Sequence, residues 1–228
     1  MNHVSHAAAT PIIVINDLVK QFGRFAALRG VSAEFVSGRL YAIVGENGAG
    51  KTTLLRSLAG LTRPTRGTIS MLGTTDLRTV CRQMGYMAHP SLLYDEMNGM
   101  ENLRYFARLY GIHDDDHCAQ TITAVGLDPT LSRPVGQYSQ GMRQRMSLAR
   151  AMIHDPGILL LDEPFSNVDH RSARQMTHLL TQLRDAGKTI FVVTHQASQL
   201  EHAADEFVQM EAGLIAFRTR ELMRPEMP

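Results

Sequence analysis

Tryptophan is missing from this sequence, and cysteine occurs only twice, as Cys81 and Cys118 without CxxC spacing. No disulfide framework can be built from that, and two free thiols in a reducing compartment are expected. No apolar run approaches about 18 residues, so no segment is expected to span a bilayer. An excess of charge of one sign is also lacking. The 23 Lys and Arg against 22 Asp and Glu leave a net +1, without the clustered basic face that nucleic acid requires. The opening stretch MNHVSHAAATP has neither a basic segment nor a long apolar one, so it is not a signal peptide. Residues 1–10, with His3 and His6, are expected to form a flexible tail. Internal repeats and low-complexity segments are absent too. A soluble, intracellular chain of one large domain, or of one domain with a lobe inserted, is expected, free to have a membrane partner.

What is present is an alternation of short apolar runs with helical patterns, the rhythm of an α/β protein with a largely parallel sheet. PIIVINDLVK, GVSAEFV, RLYAIV, GTISMLG and MGYMAH read as strands, and TTLLRSLAGL as a helix. ENLRYFARLY, HCAQTITAVGL and GMRQRMSLARAMI then read as successive amphipathic helices with no strand between them. Strands resume with GILLLDEP, TIFVVTH and EFVQME.

GENGAGKT, Gly45 to Thr52, fits the phosphate-loop pattern, with the required strand before it and helix after it. Gly45, Gly48 and Gly50 let the backbone turn its N–H groups toward phosphate oxygens, and the helix start adds partial positive charge. Lys51 would reach the β- and γ-phosphates, and the Thr52 hydroxyl would bind Mg²⁺. The run LLLDEP delivers Asp162 and Glu163 at a strand's carboxyl end, where open α/β sheets bind ligands. Asp162 suits the Mg²⁺ shell through water, and Glu163 a general base. Without the phosphate loop, the same pair would read equally well as a solvated turn. His195 ends the next strand and is expected to contact the γ-phosphate. YSQGM, Tyr138 to Met142, opens a helix whose unpaired N–H groups could cover the far side of that phosphate. Taken alone, Ser139 reads as an ordinary N-cap.

Taken together, these stretches resemble the ATPase subunit of an ABC transporter over nearly the whole chain. GENGAGKTT resembles that family's nucleotide loop, through Gly45, Glu46, Asn47, Gly48, Ala49, Gly50, Lys51, Thr52 and Thr53. YSQGM resembles its LSGGQ signature (Ser139, Gln140, Gly141, Met142), SNVD its D-loop (Asp169), and His195 its switch histidine. Phe22 stands where the family stacks an aromatic on adenine. The resemblance implies a P-loop NTPase (RecA-like) core over 11–88 and 157–228. It also implies an N-terminal antiparallel β region and a helical subdomain at about 89–156. It further implies ATP hydrolysis with Mg²⁺, a homodimer in which each signature turn closes on the neighbour's ATP, and a membrane permease partner. The chain would lie on the cytoplasmic face of that membrane.

Three residues depart from the family pattern. Gln140 and Met142 replace a glycine and a glutamine of the signature, and His89 replaces the glutamine that binds Mg²⁺ and the water. A histidine there, with NGAGKTTLLR, DEPF and Thr194–Gln196, resembles haem exporters of cytochrome c maturation; drug or polysaccharide exporters are the alternative. Soluble ABC ATPases of ribosome or DNA and small-molecule kinases fit the motifs less well. Met84, Met87, Met97 and Met100 cluster near His89, as core filling or as an adaptable partner surface. HDDDH, His113 to His117, reads as an acidic helix start rather than a metal site.

Overall fold

The computed structural model describes residues 10–222; the expected tail, with His3 and His6, falls outside them except for Thr10. Three strands have every residue buried: β3 (Leu40–Val44), β6 (Ile158–Asp162) and β7 (Thr189–Val193). Unbroken apolar runs of this kind suit parallel strands covered on both faces. With β5 (Met84–Met87), β8 (Glu206–Glu211) and β9 (Leu214–Thr219) they form one sheet, ordered β5-β6-β7-β3-β8-β9. All neighbours in it are parallel except β8 and β9. A second, antiparallel sheet is ordered β2-β1-β4, from β1 (Pro11–Phe22), β2 (Phe25–Val36) and β4 (Arg66–Met71).

Helix α1 (Lys51–Leu58) buries Leu54, Leu55 and Leu58 in an apolar cluster shared with both sheets. Phe35, Tyr41 and Phe191 join the sheets there, with ring centroids 4.9–5.0 Å apart. The Tyr41 hydroxyl both donates to the Val36 carbonyl and accepts from its N–H, which lets a polar group sit in that core.

Between β5 and β6 lie α2 (Gly99–Leu109), α3 (Asp115–Ala124) and α4 (Gln140–Met152), with no strand among them. Their apolar faces join the other face of the large sheet in a second cluster that includes Leu103, Ile122, Met146, Leu159 and Leu161. Asn98 and Glu101 close a capping box on α2. Asp114 caps α3, and Asp115 accepts from Arg104 Nε and Nη2, each at 2.8 Å. The HDDDH run is thus a helix start, and no described group of three or more His, Cys, Asp or Glu is set to hold a metal. Helix α5 (His170–Asp185) and strand β9, not anticipated from the sequence, complete the order. No described helix is long and apolar enough to cross a membrane.

Candidate nucleotide site

Strand β3 ends at Val44, and the chain then turns through Gly45, Gly48 and Gly50, with φ of 144°, 84° and 97°. At Gly45 any side chain is excluded, because a Cβ would lie 2.2 Å from the Met210 carbonyl of β8. The start of the loop thus lies close against β8. No side chain caps α1 and no acid sits in its first turn, which leaves its N-terminal N–H groups and partial positive charge for an anion. Lys51 is buried and donates to the carbonyls of Gly45 (2.7 Å) and Glu46 (2.8 Å). Burial pulls its ammonium pKa down, against the attraction of Glu163 and Asp162.

Both acids come from the carboxyl end of β6, one strand removed from β3 across β7. Asp162, 3% exposed, accepts from the Thr52 hydroxyl at 3.0 Å. Its pKa is raised, first by burial and then by the Glu163 charge; the Thr52 bond, His89 and Arg56 pull it back. Consecutive residues of a strand face opposite ways. Glu163 escapes that rule with a φ of 54°, a left-handed turn that brings its side chain to the same loop as Asp162. Such backbone is uncommon for a side chain of this size and concentrates at functional sites. Glu163 Oε2 lies 2.8 Å from His195 Nδ1 and accepts from the His195 N–H at 3.3 Å. His195, expected at the γ-phosphate, here rests on Glu163.

A cavity of about 220 Å³ over the loop is lined by Asn47–Thr53, Glu163, Ala27 and Phe25. The expected adenine partner Phe22 is absent from this lining; it sits at the hairpin tip opposite Phe25, and both rings are more than half exposed. None of Ser139 to Met142 lines it either. The signature turn lies elsewhere on the chain, where Ser139 caps α4 by accepting from the Met142 N–H at 3.3 Å. Gly141 has a local reason to be glycine: a Cβ there would lie 2.4 Å from Ser172 Oγ. That contact, rather than room for a nucleotide, is what the structure shows at Gly141. Asp169 caps α5 through the N–H groups of Arg171 and Ser172, and accepts from the Ser172 hydroxyl at 2.8 Å. These bonds, the Ser172 N–H first, hold its carboxyl below the usual range.

Two of the three departures from the family pattern, His89 and Gln140, meet in space. Exposed His89 and Gln140 line one polar cavity of about 320 Å³, beside the Arg143–Asp95 ion pair of 2.7 Å. The four methionines do not form a surface. Met84 and Met87 are buried strand residues, Met97 is half-buried, and half-buried Met100 packs on the core. A groove of about 500 Å³ is walled instead by Leu61, Leu92, Phe106 and Leu109, with Arg56 and Arg150, and takes only Met84 of the four.

A family model described as ABC transporter matches residues 28–166. The ABC transporter ATP-binding protein NatA of Bacillus subtilis is 36% identical, over 84% of this chain and 81% of that protein. The bacitracin transport ATP-binding protein BcrA of Bacillus licheniformis is 33% identical, over 85% of this chain and 65% of its own length. The lantibiotic transport ATP-binding protein SrtF of Streptococcus pyogenes is 31% identical, over 85% and 84%. Among solved structures, an ATP-binding subunit of an ABC transporter superposes with a TM-score of 0.80 at 26% identity, over 92% of this chain and 90% of that one. A dimeric bacterial ABC transporter cassette, MJ0796, shares the fold with a TM-score of 0.82 at 22% identity, over 91% and 98%. With its phosphate loop set beside the acid pair at the end of β6 and these matches over most of its length, the chain belongs to the ABC transporter family as an ATP-hydrolysing, transport-coupled subunit.

Proposed function

We propose that two copies of this chain close head to tail over ATP and drive a membrane subunit, with each signature turn completing the other copy's site. The observation that carries this is the lining of the phosphate-loop cavity. It holds Lys51, Thr52 and Glu163 but none of Ser139 to Met142, which supports a second set of helix dipoles supplied by another copy. In this reading Glu46, Asn47, Ala49 and Thr53 complete the loop backbone around the phosphates, and Lys51 exchanges its two carbonyl partners for phosphate oxygens. His195 leaves Glu163 for the γ-phosphate, which frees the Glu163 carboxylate to accept a proton from the attacking water.

The Thr52 hydroxyl and the Asp162 carboxylate, 3.0 Å apart, are a sparse oxygen set, and Mg²⁺ is commonly held by one or two such groups plus phosphates and waters. A buried carboxylate whose pKa is raised by its surroundings also gains from a cation beside it. Mg²⁺ bound there would neutralise phosphate charge. His89, whose charge acts on Asp162, is placed to substitute for the family's glutamine. We assign the membrane subunit to the apolar groove of Leu61, Leu92, Phe106 and Leu109, on the grounds of family membership and exposed apolar area. The helical stretch at about 89–156 would then be the lobe that carries one wall of that groove.

Export is the direction proposed, and the cargo is left open between classes. The narrower likeness to haem exporters rests on its sequence stretches alone, since the relatives above carry names from bacitracin and lantibiotic transport.

The test is Glu163→Gln. Loss of the general base should cut turnover about 100- to 10,000-fold while ATP still binds, and the trapped nucleotide should shift the chain from monomer to dimer in light scattering. An ATP-loaded variant that stays monomeric overturns the shared-site account.

A further inference from the structure

Two exposed aromatics, Phe22 and Phe25, face each other across the hairpin of β1 and β2. They differ in what holds them. The Lys20 ammonium stands 4.9 Å from the Phe22 ring centroid, two residues back on the same face of β1. That ammonium is itself fixed, donating to the Arg63 carbonyl at 2.8 Å. The same segment is tied twice more: the Gln21 N–H donates to the Thr65 hydroxyl at 3.0 Å, and the Thr65 N–H to the Val19 carbonyl at 2.8 Å. Residues 63–65 follow α1, the helix that begins with Lys51. The ring of Phe22 is therefore referenced, through Lys20, to the element that carries the phosphate loop. No cation stands over Phe25 among the described ring contacts.

An exposed phenylalanine at a hairpin tip is free to change rotamer, and a ligand that stacks on it must pay to stop it. A cation held against one face does part of that work beforehand, and 53% of the residue stays open. We propose that Lys20 is a positioning residue for the base of the nucleotide: it pins the Phe22 ring at a fixed place relative to the phosphate loop. The proposal rests on the reading of Phe22 as the adenine platform.

Calorimetry on the full chain separates the two. Dissociation constants are measured for ATP and for tripolyphosphate, which has no base, with Lys20→Met, Phe22→Ala and the double variant. Lys20→Met should weaken ATP about threefold to tenfold, the factor that goes with freeing one side chain. It should leave tripolyphosphate binding and turnover at saturating ATP unchanged, and add nothing in the Phe22→Ala background. Lys20→Arg, which keeps the cation, should bind as the parent does. If Phe22→Ala weakens ATP while Lys20→Met does not, the pinning role is wrong. If Lys20→Met weakens tripolyphosphate as much as ATP, Lys20 is a phosphate contact and the proposal falls. If Phe22→Ala leaves ATP binding untouched, the platform reading itself falls and takes the proposal with it.

Discussion

Asp162 is a carboxylate that the nucleotide-free fold holds at a cost. Its pKa is raised chiefly by burial, so the folded chain keeps this proton at pH values where the unfolded chain has already lost it. Stability from this group is therefore lost as pH rises from the unfolded value near 3.8 through the folded one. Above that window the buried charge is a standing penalty, opposite in sign to an ion-paired aspartate. Asp162→Asn keeps an acceptor for the Thr52 hydroxyl and removes the charge. Without nucleotide or Mg²⁺ at pH 7.5, its melting midpoint should rise by about 2–4 °C for each kcal/mol regained. The gain should shrink as the pH is lowered toward 4. Scanning calorimetry at the two pH values checks this, and a variant that melts lower at pH 7.5 would show that the Thr52 bond outweighs burial. At this scale the sequence was readable where local backbone dictates residue type, as at Gly45 and Lys51. Phe25 in the cavity lining and the tie of Lys20 to the Arg63 carbonyl were not readable, because each joins residues far apart in the chain.

Helices α4 and α5 touch at their first turns, and that contact explains two residues that looked purely functional. Gly141 faces Ser172, and Asp169 binds Ser172 from below, so the signature turn and the D-loop are braced on one serine. Gly141→Ala would put a Cβ 2.4 Å from Ser172 Oγ and 2.7 Å from its Cβ. Overpacking of this kind costs about 1–3 kcal/mol, which urea denaturation would resolve. The same change in a Ser172→Gly background should cost nothing further, and equal costs in both backgrounds would disprove the brace. Most elements were legible: buried apolar runs became β3, β6 and β7, and the 3.6-residue spacing became α2 to α4. Strand β9 was not, because its side chains are mostly exposed and show no apolar alternation. It forms by pairing back on β8 through Ala212 and Gly213, at φ of 46° and 82°, a turn more usually signalled by Asn-Gly or Asp-Gly. Helix α5 does carry a local signal, the Asp169 cap followed by Ala173, Met176, Leu179 and Leu180 on its buried stripe.

At the scale of the whole molecule, the groups proposed to surround a γ-phosphate are divided between two places on one chain. The loop, the acids and His195 occupy one edge of the sheet, while Ser139 and Gly141 sit at the start of α4, outside that cavity. On the proposed head-to-tail pairing a single chain is incomplete, and two inactive variants can then repair each other. Lys51→Ala removes the loop's grip on phosphate but keeps an intact signature turn. Ser139→Arg spoils the signature turn but keeps an intact loop. Mixed in equal amounts, half of the dimers formed at random contain one of each, and each of those has one complete site of two. Steady-state phosphate release should therefore recover to at most about a quarter of the parent rate, as a head-to-tail pairing of identical subunits dictates. It should also fall on dilution, since the complete site exists only while two chains are together. A site contained within one chain predicts instead that the mixture stays as inactive as its parts at every concentration.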